Sequence, residues 1–173
     1  MSLVGKQAPE FATQAVVGGE ITDLALTDYK GKWVVLYFYP LDFTFVCPTE
    51  ITAFSERHCD FEKLGAVVLG GSTDSVYSHK AWIENGLGAI KHPLFSDLTR
   101  EISSKYGVLI REKGIALRGL FLIDPDGVVQ LELVHNLGVG RSVDEVLRAL
   151  KAFQTGELCP INWQPGQDTL GKG

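Results

Sequence analysis

Residues 33–39 (WVVLYFY) are seven apolar positions in a row, in a chain that otherwise alternates apolar and polar residues over short distances. A short aromatic and β-branched run with no polar face reads as a strand covered on both sides. Pro40 ends it. From 48 to 64 the period changes, and Ile51, Phe54, Phe61 and Leu64 recur on one helical face. Pro48 and Glu50 suit the first turn of that helix and Gly65 its end. Residues 66–70 (AVVLG) read as a second buried strand. Upstream, residues 12–27 read as a weak hairpin turning at Gly18-Gly19. Residues 76–84 and 97–106 read as short helices, the second stopped by Gly107. Residues 120–123 and 128–134 read as strands joined by Asp124-Pro125-Asp126-Gly127, a hairpin turn. Ser142-Val143-Asp144-Glu145 reads as a capping box. It opens a helix with Val146, Leu147, Leu150 and Phe153 on one face and Gly156 at its end.

This order is one βαβ unit followed by a ββα unit. It predicts an α/β domain of the thioredoxin-like class, three layers deep, with a central mixed sheet flanked by helices. The domain is expected over residues 1–155, and residues 156–173 as an extended Pro- and Gly-rich tail. With 173 residues, 45% hydrophobic and 21% charged, the chain is long enough to bury a core of its own, which rules out disorder over most of it. A net charge of −5 supplies no basic face for nucleic acid or an anionic membrane. No apolar run approaches a membrane span, and the N-terminus has no apolar signal region, so a cytoplasmic protein is expected.

The three cysteines, Cys47, Cys59 and Cys159, are too few and odd in number for a disulfide framework. In a reducing compartment such cysteines are catalytic, metal-binding or simply buried. Among His58, His79, His92 and His135 no pair has a metal-ligand spacing with cysteine beyond the adjacent His58-Cys59, and no zinc or calcium motif occurs. No metal and no bound cofactor are expected. Cys47 is the candidate for chemistry. It follows the first buried strand and stands at the mouth of a helix, where free N–H groups and the positive dipole end favour a thiolate. On position alone, an activated nucleophile and an inert buried thiol remain equally open. Thr44 offers a hydroxyl three residues earlier, Pro40 and Pro48 stiffen the loop, and Phe43 and Phe45 are placed to screen the sulfur from water.

Pro40-x-x-x-Thr44-x-x-Cys47, within FYPLDFTFVCPTE, resembles the active-site motif of the peroxiredoxins. The resemblance continues through STDS at 72–75 with His79-Lys80-Ala81-Trp82, IALRGLFLIDPDG at 115–127, VGRSVDE at 139–145 and GELCPINW at 156–163. These are similar to the typical two-cysteine subgroup, the alkyl hydroperoxide reductase C type. The resemblance implies that Cys47 is the peroxidatic cysteine, which attacks a peroxide oxygen and becomes a sulfenic acid. It implies that Thr44 hydrogen-bonds the peroxide and that Arg118 stabilises the thiolate and the departing oxygen. Pro40 would shield the sulfenic acid, and Glu50 and Arg141 would hold Arg118. Taken singly, each has a plainer reading. Arg118 could be a solvated edge residue, Glu50 a helix-dipole residue, Arg141 a loop residue and Thr44 a turn former.

The resemblance further implies that Cys159 is the resolving cysteine and that its disulfide with Cys47 joins two subunits. Spacing alone leaves intra- and intersubunit pairing open. The implied protein is a homodimer, often assembled as a ring-shaped decamer. It would reduce hydrogen peroxide and organic hydroperoxides in antioxidant defence, with thioredoxin or a dedicated flavoprotein reductase as electron donor. Cys59 has no counterpart in the motif and reads as a packed helix cysteine.

Two departures from the family pattern stand out. The link from Phe153 to Cys159 is a few residues shorter than usual. The extra C-terminal helix with a Tyr-Phe pair, which slows disulfide formation in eukaryotic members, is absent, so lower sensitivity to overoxidation is expected. Asn85-Gly86-Leu87-Gly88 still resembles the glycine-rich loop that accompanies that helix. A redox-regulated holdase chaperone in a high-order oligomer is the rival reading. A general disulfide reductase would need a C-x-x-C pair, which Cys47-Pro48-Thr49-Glu50 does not supply. Gly138-Val139-Gly140 lacks the third glycine of a dinucleotide fingerprint and reads as a loop. Gly70-Gly71-Ser72-Thr73 is not a phosphate loop.

Overall fold

The computed structural model describes residues 2–173. Its contacts divide the chain into two compact units, one ending at Arg141 and one running from Ser142 to Gly173. The first is built on a seven-stranded mixed sheet of β1 (Ala12–Val17), β2 (Glu20–Ala25), β3 (Trp33–Phe38), β4 (Ala66–Ser72), β5 (Leu94–Ser96), β8 (Arg118–Ile123) and β9 (Val129–His135). They lie in the order β2-β1-β5-β4-β3-β8-β9. The pairs β3–β4 and β4–β5 are parallel, and the others are antiparallel. A two-stranded ribbon, β6 (Leu109–Ile110) with β7 (Ile115–Ala116), stands apart.

Strand β3 explains the apolar run. It sits between β4 and β8 and is buried on both faces. Val34, Leu36 and Phe38 enter one core with Phe95, Tyr106, Phe121 and Ile123, where Phe38 meets Phe95 and Phe121 edge-on. Tyr37, which alternates with them, faces the opposite side and stacks on Phe54. The tyrosine fits because β4 carries glycine beside it: a Cβ on Gly70 would lie 2.4 Å from both Cζ and the hydroxyl oxygen of Tyr37.

The expected helix over 48–64 is two helices, α1 (Cys47–Glu56) and α2 (His58–Lys63). Arg57 breaks the register at φ −89°, ψ 10°, and its carbonyl accepts the N–H groups of Asp60 and Phe61. Despite the break, Phe54 and Phe61 face the same core, with ring centres 6.0 Å apart. Cys59, read from the sequence as a packed helix cysteine, is instead exposed. Phe61 takes the buried face, and a residue two positions earlier lies about 200° around the helix.

The helix expected over 76–84 is α3 (Val76–Trp82), continued by a wider π-type turn over Ile83–Leu87 and stopped by Gly88 at φ 74°. The helix expected over 97–106 shrinks to α4 (Glu101–Lys105). Both oxygens of Asp97 are used as caps for the N–H groups of Ile102 and Ser103, and Arg100 takes a left-handed φ of 62°. Strands β5, β6 and β7, two or three residues each, have no counterpart in the sequence reading. Strand β8 begins two residues earlier than expected, at Arg118.

The second unit consists of α5 (Val143–Gln154) and the tail. Ser142 Oγ accepts the N–H of Glu145, as the capping box requires. The Glu145 carboxylate turns instead to Arg148, with both oxygens 2.7 Å from its guanidinium nitrogens, so half of the box forms. The tail is folded back on itself: Leu158 and Gly171 share a backbone bond, as do Leu170 and Leu158, and buried Trp163 receives Arg148 on its carbonyl. Among the described residues no helix is long and apolar enough to cross a membrane.

Candidate active site

Strand β3 delivers the chain to Pro40, which is buried, and a short loop leads to Cys47, the first residue of α1. Pro48 occupies the first turn of that helix, where its missing N–H costs nothing. The sulfur of Cys47 is fully buried. Arg118 reaches it from the start of β8, its Nη1 3.5 Å from Sγ. The same nitrogen lies 2.7 Å from Glu50 Oε2, and Arg118 Nε donates to the Leu137 carbonyl at 2.8 Å. With 3% exposure, Arg118 is far from a solvated edge residue.

Glu50 lies one helical turn beyond Cys47 and is also 3% exposed. Arg141 surrounds its carboxylate. The backbone N–H and Nε both donate to Oε1 at 2.8 Å, and Nη2 donates to Oε2 at 2.9 Å. Arg141 Nη1 also donates to the Gly119 carbonyl at 2.6 Å. Burial opposes the charge on Glu50. The hydrogen bonds and charge of Arg141, with the charge of Arg118, outweigh burial and hold its carboxyl below the usual carboxylate range. Arg118 Nη1 thus spans the Glu50 carboxylate and the sulfur. This arrangement can stabilise negative charge on sulfur and on an oxygen leaving beside it.

Thr44 is half-buried, and its Oγ1 donates to the Leu41 carbonyl at 2.9 Å, which leaves its lone pairs open. Phe43 and Phe45 do not screen Cys47. Phe43 is exposed and leans on Trp82 from a left-handed φ of 54°, and Phe45 is 94% exposed. The back-bond from Thr44 to Leu41 closes the short loop that carries both rings.

The loop is anchored by residues that the family motifs contain but to which the sequence reading gave no role. Asp42 Oδ2 lies 2.8 Å from His79 Nδ1 and accepts the Ser78 hydroxyl at 2.7 Å, while Asp42 Oδ1 accepts the Tyr39 hydroxyl at 2.8 Å. His79 Nε2 faces the Phe95 carbonyl at 3.0 Å, so that nitrogen carries a hydrogen. The backbone N–H of Asp42 is held by Asp74, which also takes the Ser72 hydroxyl. Burial, with the Asp42 charge beside it, pushes Tyr39 well above the ordinary phenol range and keeps it a donor. Asp42 and His79 are 37 residues apart, and nothing in either segment's periodicity joins them.

In the second unit Cys159 is half-buried rather than freely exposed. Its Sγ lies 3.7 Å from the Ala152 carbonyl, 3.8 Å from that of Glu157 and 3.6 Å from Thr155 Oγ1. The segment 136–142, with Gly138-Val139-Gly140, is a loop, as its glycine pattern indicates. Among the described residues no group of three or more His, Cys, Asp or Glu side chains is arranged to hold a metal.

Known proteins resemble this chain over nearly its whole length. The family model described as "AhpC/TSA family" matches residues 4–132. A putative peroxiredoxin in the rubredoxin operon of Clostridium pasteurianum is 58% identical over 175 residues, covering 97% of this chain and 98% of that protein. Peroxiredoxin-2 of Bos taurus is 56% identical over 176 residues, covering 96% and 88%. Among solved structures, the reduced 2-Cys peroxiredoxin of Plasmodium vivax superposes with a TM-score of 0.94 at 46% identity, covering 97% of this chain and 92% of that one. Enterococcus faecalis AhpC does so with a TM-score of 0.89 at 34% identity, covering 92% and 100%.

Proposed function

Because the chain belongs to the AhpC/TSA family of peroxiredoxins and is a thiol peroxidase, we propose that Cys47 is its peroxidatic cysteine and Arg118 the residue that drives the attack. The observation that carries this reading is the single guanidinium nitrogen of Arg118 placed on both Cys47 Sγ and the Glu50 carboxylate. The Cys47 thiolate attacks the nearer peroxide oxygen. The O–O bond breaks, sulfur is oxidised to sulfenic acid, and the peroxide leaves as water or an alcohol once its oxygen takes a proton. Arg118 stabilises sulfur before attack and the departing oxygen during it. Thr44 holds the peroxide through the open lone pairs of its hydroxyl, and Pro40 keeps competing donors away from sulfur. The enclosure of Cys47 favours small substrates, hydrogen peroxide and short organic hydroperoxides.

Cys159 resolves the sulfenic acid in this reading. Its thiol displaces hydroxide as water and forms a disulfide with Cys47 of a second subunit, and a dithiol donor then reduces that bond. The donor is thioredoxin or a flavoprotein reductase, and the working unit is at least a homodimer. Non-reducing electrophoresis after one equivalent of hydrogen peroxide tests this. A covalent dimer is expected from the wild type and none from Cys159→Ser. A wild-type monomer with a sulfenic acid at Cys47 would replace Cys159 with an external thiol as the resolving group.

A further inference from the structure

Besides Glu50 and the Gly119 carbonyl, Arg141 meets an aromatic ring. Its Cζ lies 5.3 Å from the centre of the Tyr37 ring, within reach of a cation–π contact. That ring is fixed on several sides. It stacks on Phe54 with centres 4.6 Å apart and planes 16° from parallel. Its hydroxyl lies 2.8 Å from His92 Nε2. Gly70 leaves the ring room that any side chain would take, as described above. His92 is buried, and burial, with His58 nearby, pushes its pKa down to about 3. It is therefore neutral and brings no second cation beneath Arg141. Burial pushes Tyr37 itself well above the ordinary phenol range, with Arg141 opposing and Glu50 and Cys47 adding to the shift. The ring is thus a neutral face of fixed orientation, and a guanidinium is what packs best on such a face.

We propose, resting on the reading of Glu50 and Arg118 above, that Tyr37 is a positioning residue for peroxide reduction: its ring face seats the Arg141 guanidinium, which fixes Glu50 and through it Arg118 beside Cys47. The contacts run from the Tyr37 ring to Arg141, from Arg141 to both oxygens of Glu50, and from Glu50 Oε2 to the nitrogen on the sulfur. With the ring gone, Arg141 keeps its hydrogen-bonding groups but loses the surface that orients them. Glu50 then ionises less readily, and the low-pH side of the reaction is the first to suffer.

The test is the single-turnover rate of Cys47 oxidation by hydrogen peroxide from about pH 4 to about pH 8 in Tyr37→Leu and Tyr37→Phe. The groups facing Glu50 in this range are Arg118 from β8, Arg141 from the loop before α5, Tyr37 from β3 and Cys47 on its own helix. Alkylation of Cys47 by chloroacetamide over the same range reads sulfur ionisation separately. Tyr37→Leu is expected to lower the peroxide rate about tenfold and to move its acid limb upward. Tyr37→Phe, which keeps the ring and loses the hydroxyl, is expected to restore both. Wild-type rate and acid limb in Tyr37→Leu would overturn the proposal, and so would a Tyr37→Phe variant as slow as Tyr37→Leu.

If Tyr37→Leu does not fold, the ring-current shift of the Arg141 Nε–H resonance in the wild type reads the same contact, and an unshifted resonance overturns it. Arg141→Lys separates the two levels of the account. A wild-type rate in that variant removes the supporting role of Arg141 altogether. A slow Arg141→Lys beside a normal Tyr37→Leu removes only the role of Tyr37.

Discussion

Replacing Arg118 with methionine is expected to slow the oxidation of Cys47 by hydrogen peroxide about 100- to 1000-fold, the usual cost of removing a donor aimed at developing charge. Arg118 is the group that touches the sulfur, at 3.5 Å, and it does so from a site where water is excluded. Charge on sulfur and on the leaving oxygen is therefore stabilised by a fixed guanidinium, not by solvent that must first reorganise. The fold survives the substitution. Glu50 keeps the backbone N–H, Nε and Nη2 of Arg141, and what is lost is the ion pair from Arg118 to Glu50 Oε2, about 1.5–3 kcal/mol, and the donor to the Leu137 carbonyl, about 1 kcal/mol. Arg118→Lys restores the charge but not the fork that serves Leu137 and Glu50 together, so an intermediate rate is expected. Stopped-flow oxidation of the reduced variants measures both. A rate for Arg118→Met within about threefold of the wild type would remove Arg118 from the chemistry.

Glu50→Gln is expected to cost more stability than any other single change at the site, about 3–5 kcal/mol, because it leaves two buried guanidinium groups without a counter-charge. Both arginines, and the glutamate between them, are less than a tenth exposed. Peroxide turnover should fall as well, since Arg118 loses the partner that aims it. The pH dependence identifies the cause. The pKa of Glu50 is lowered by folding, so its contribution is fully present above the ordinary carboxylate value and is lost as pH falls through the lower folded value. The stability gap between wild type and Glu50→Gln should accordingly close as the medium is acidified below the ordinary carboxylate value. Denaturant unfolding of both proteins across that interval measures it. A gap that stays constant would assign the loss to shape and not to charge.

What the sequence made legible, and what it did not, follows from the range of the interactions involved. The strand over 33–39 and the helix that begins at Cys47 are written in local periodicity and in Pro48, so both were readable. Arg118 was not readable from its own neighbourhood, since an arginine at the head of a strand is ordinarily solvated. Its burial depends on Glu50, 68 residues away, and only the family pattern joined the two. The same holds for Tyr39, Asp42 and His79, whose network ties the loop down from three segments. Strands as short as β5 carry too few residues to show a period. Leu94–Ser96 forms because β1 and β4 flank it. Phe43 and Phe45 turn outward from a loop in which Phe43 holds a left-handed φ of 54°, and nothing in the hydropathy pattern marks that turn.

The central claim is that Cys47 takes the oxygen from peroxide. The direct measurement is the mass of a Cys59→Ser, Cys159→Ser variant after one equivalent of hydrogen peroxide, quenched with a sulfenic acid trap and mapped by proteolysis. The account predicts one trapped oxygen, located at Cys47 and formed at least about 100- to 1000-fold faster than in the same protein unfolded, the contribution of one fixed donor aimed at developing charge. Cys47 left as a thiol while peroxide persists, or oxidised no faster than in the unfolded chain, would contradict it.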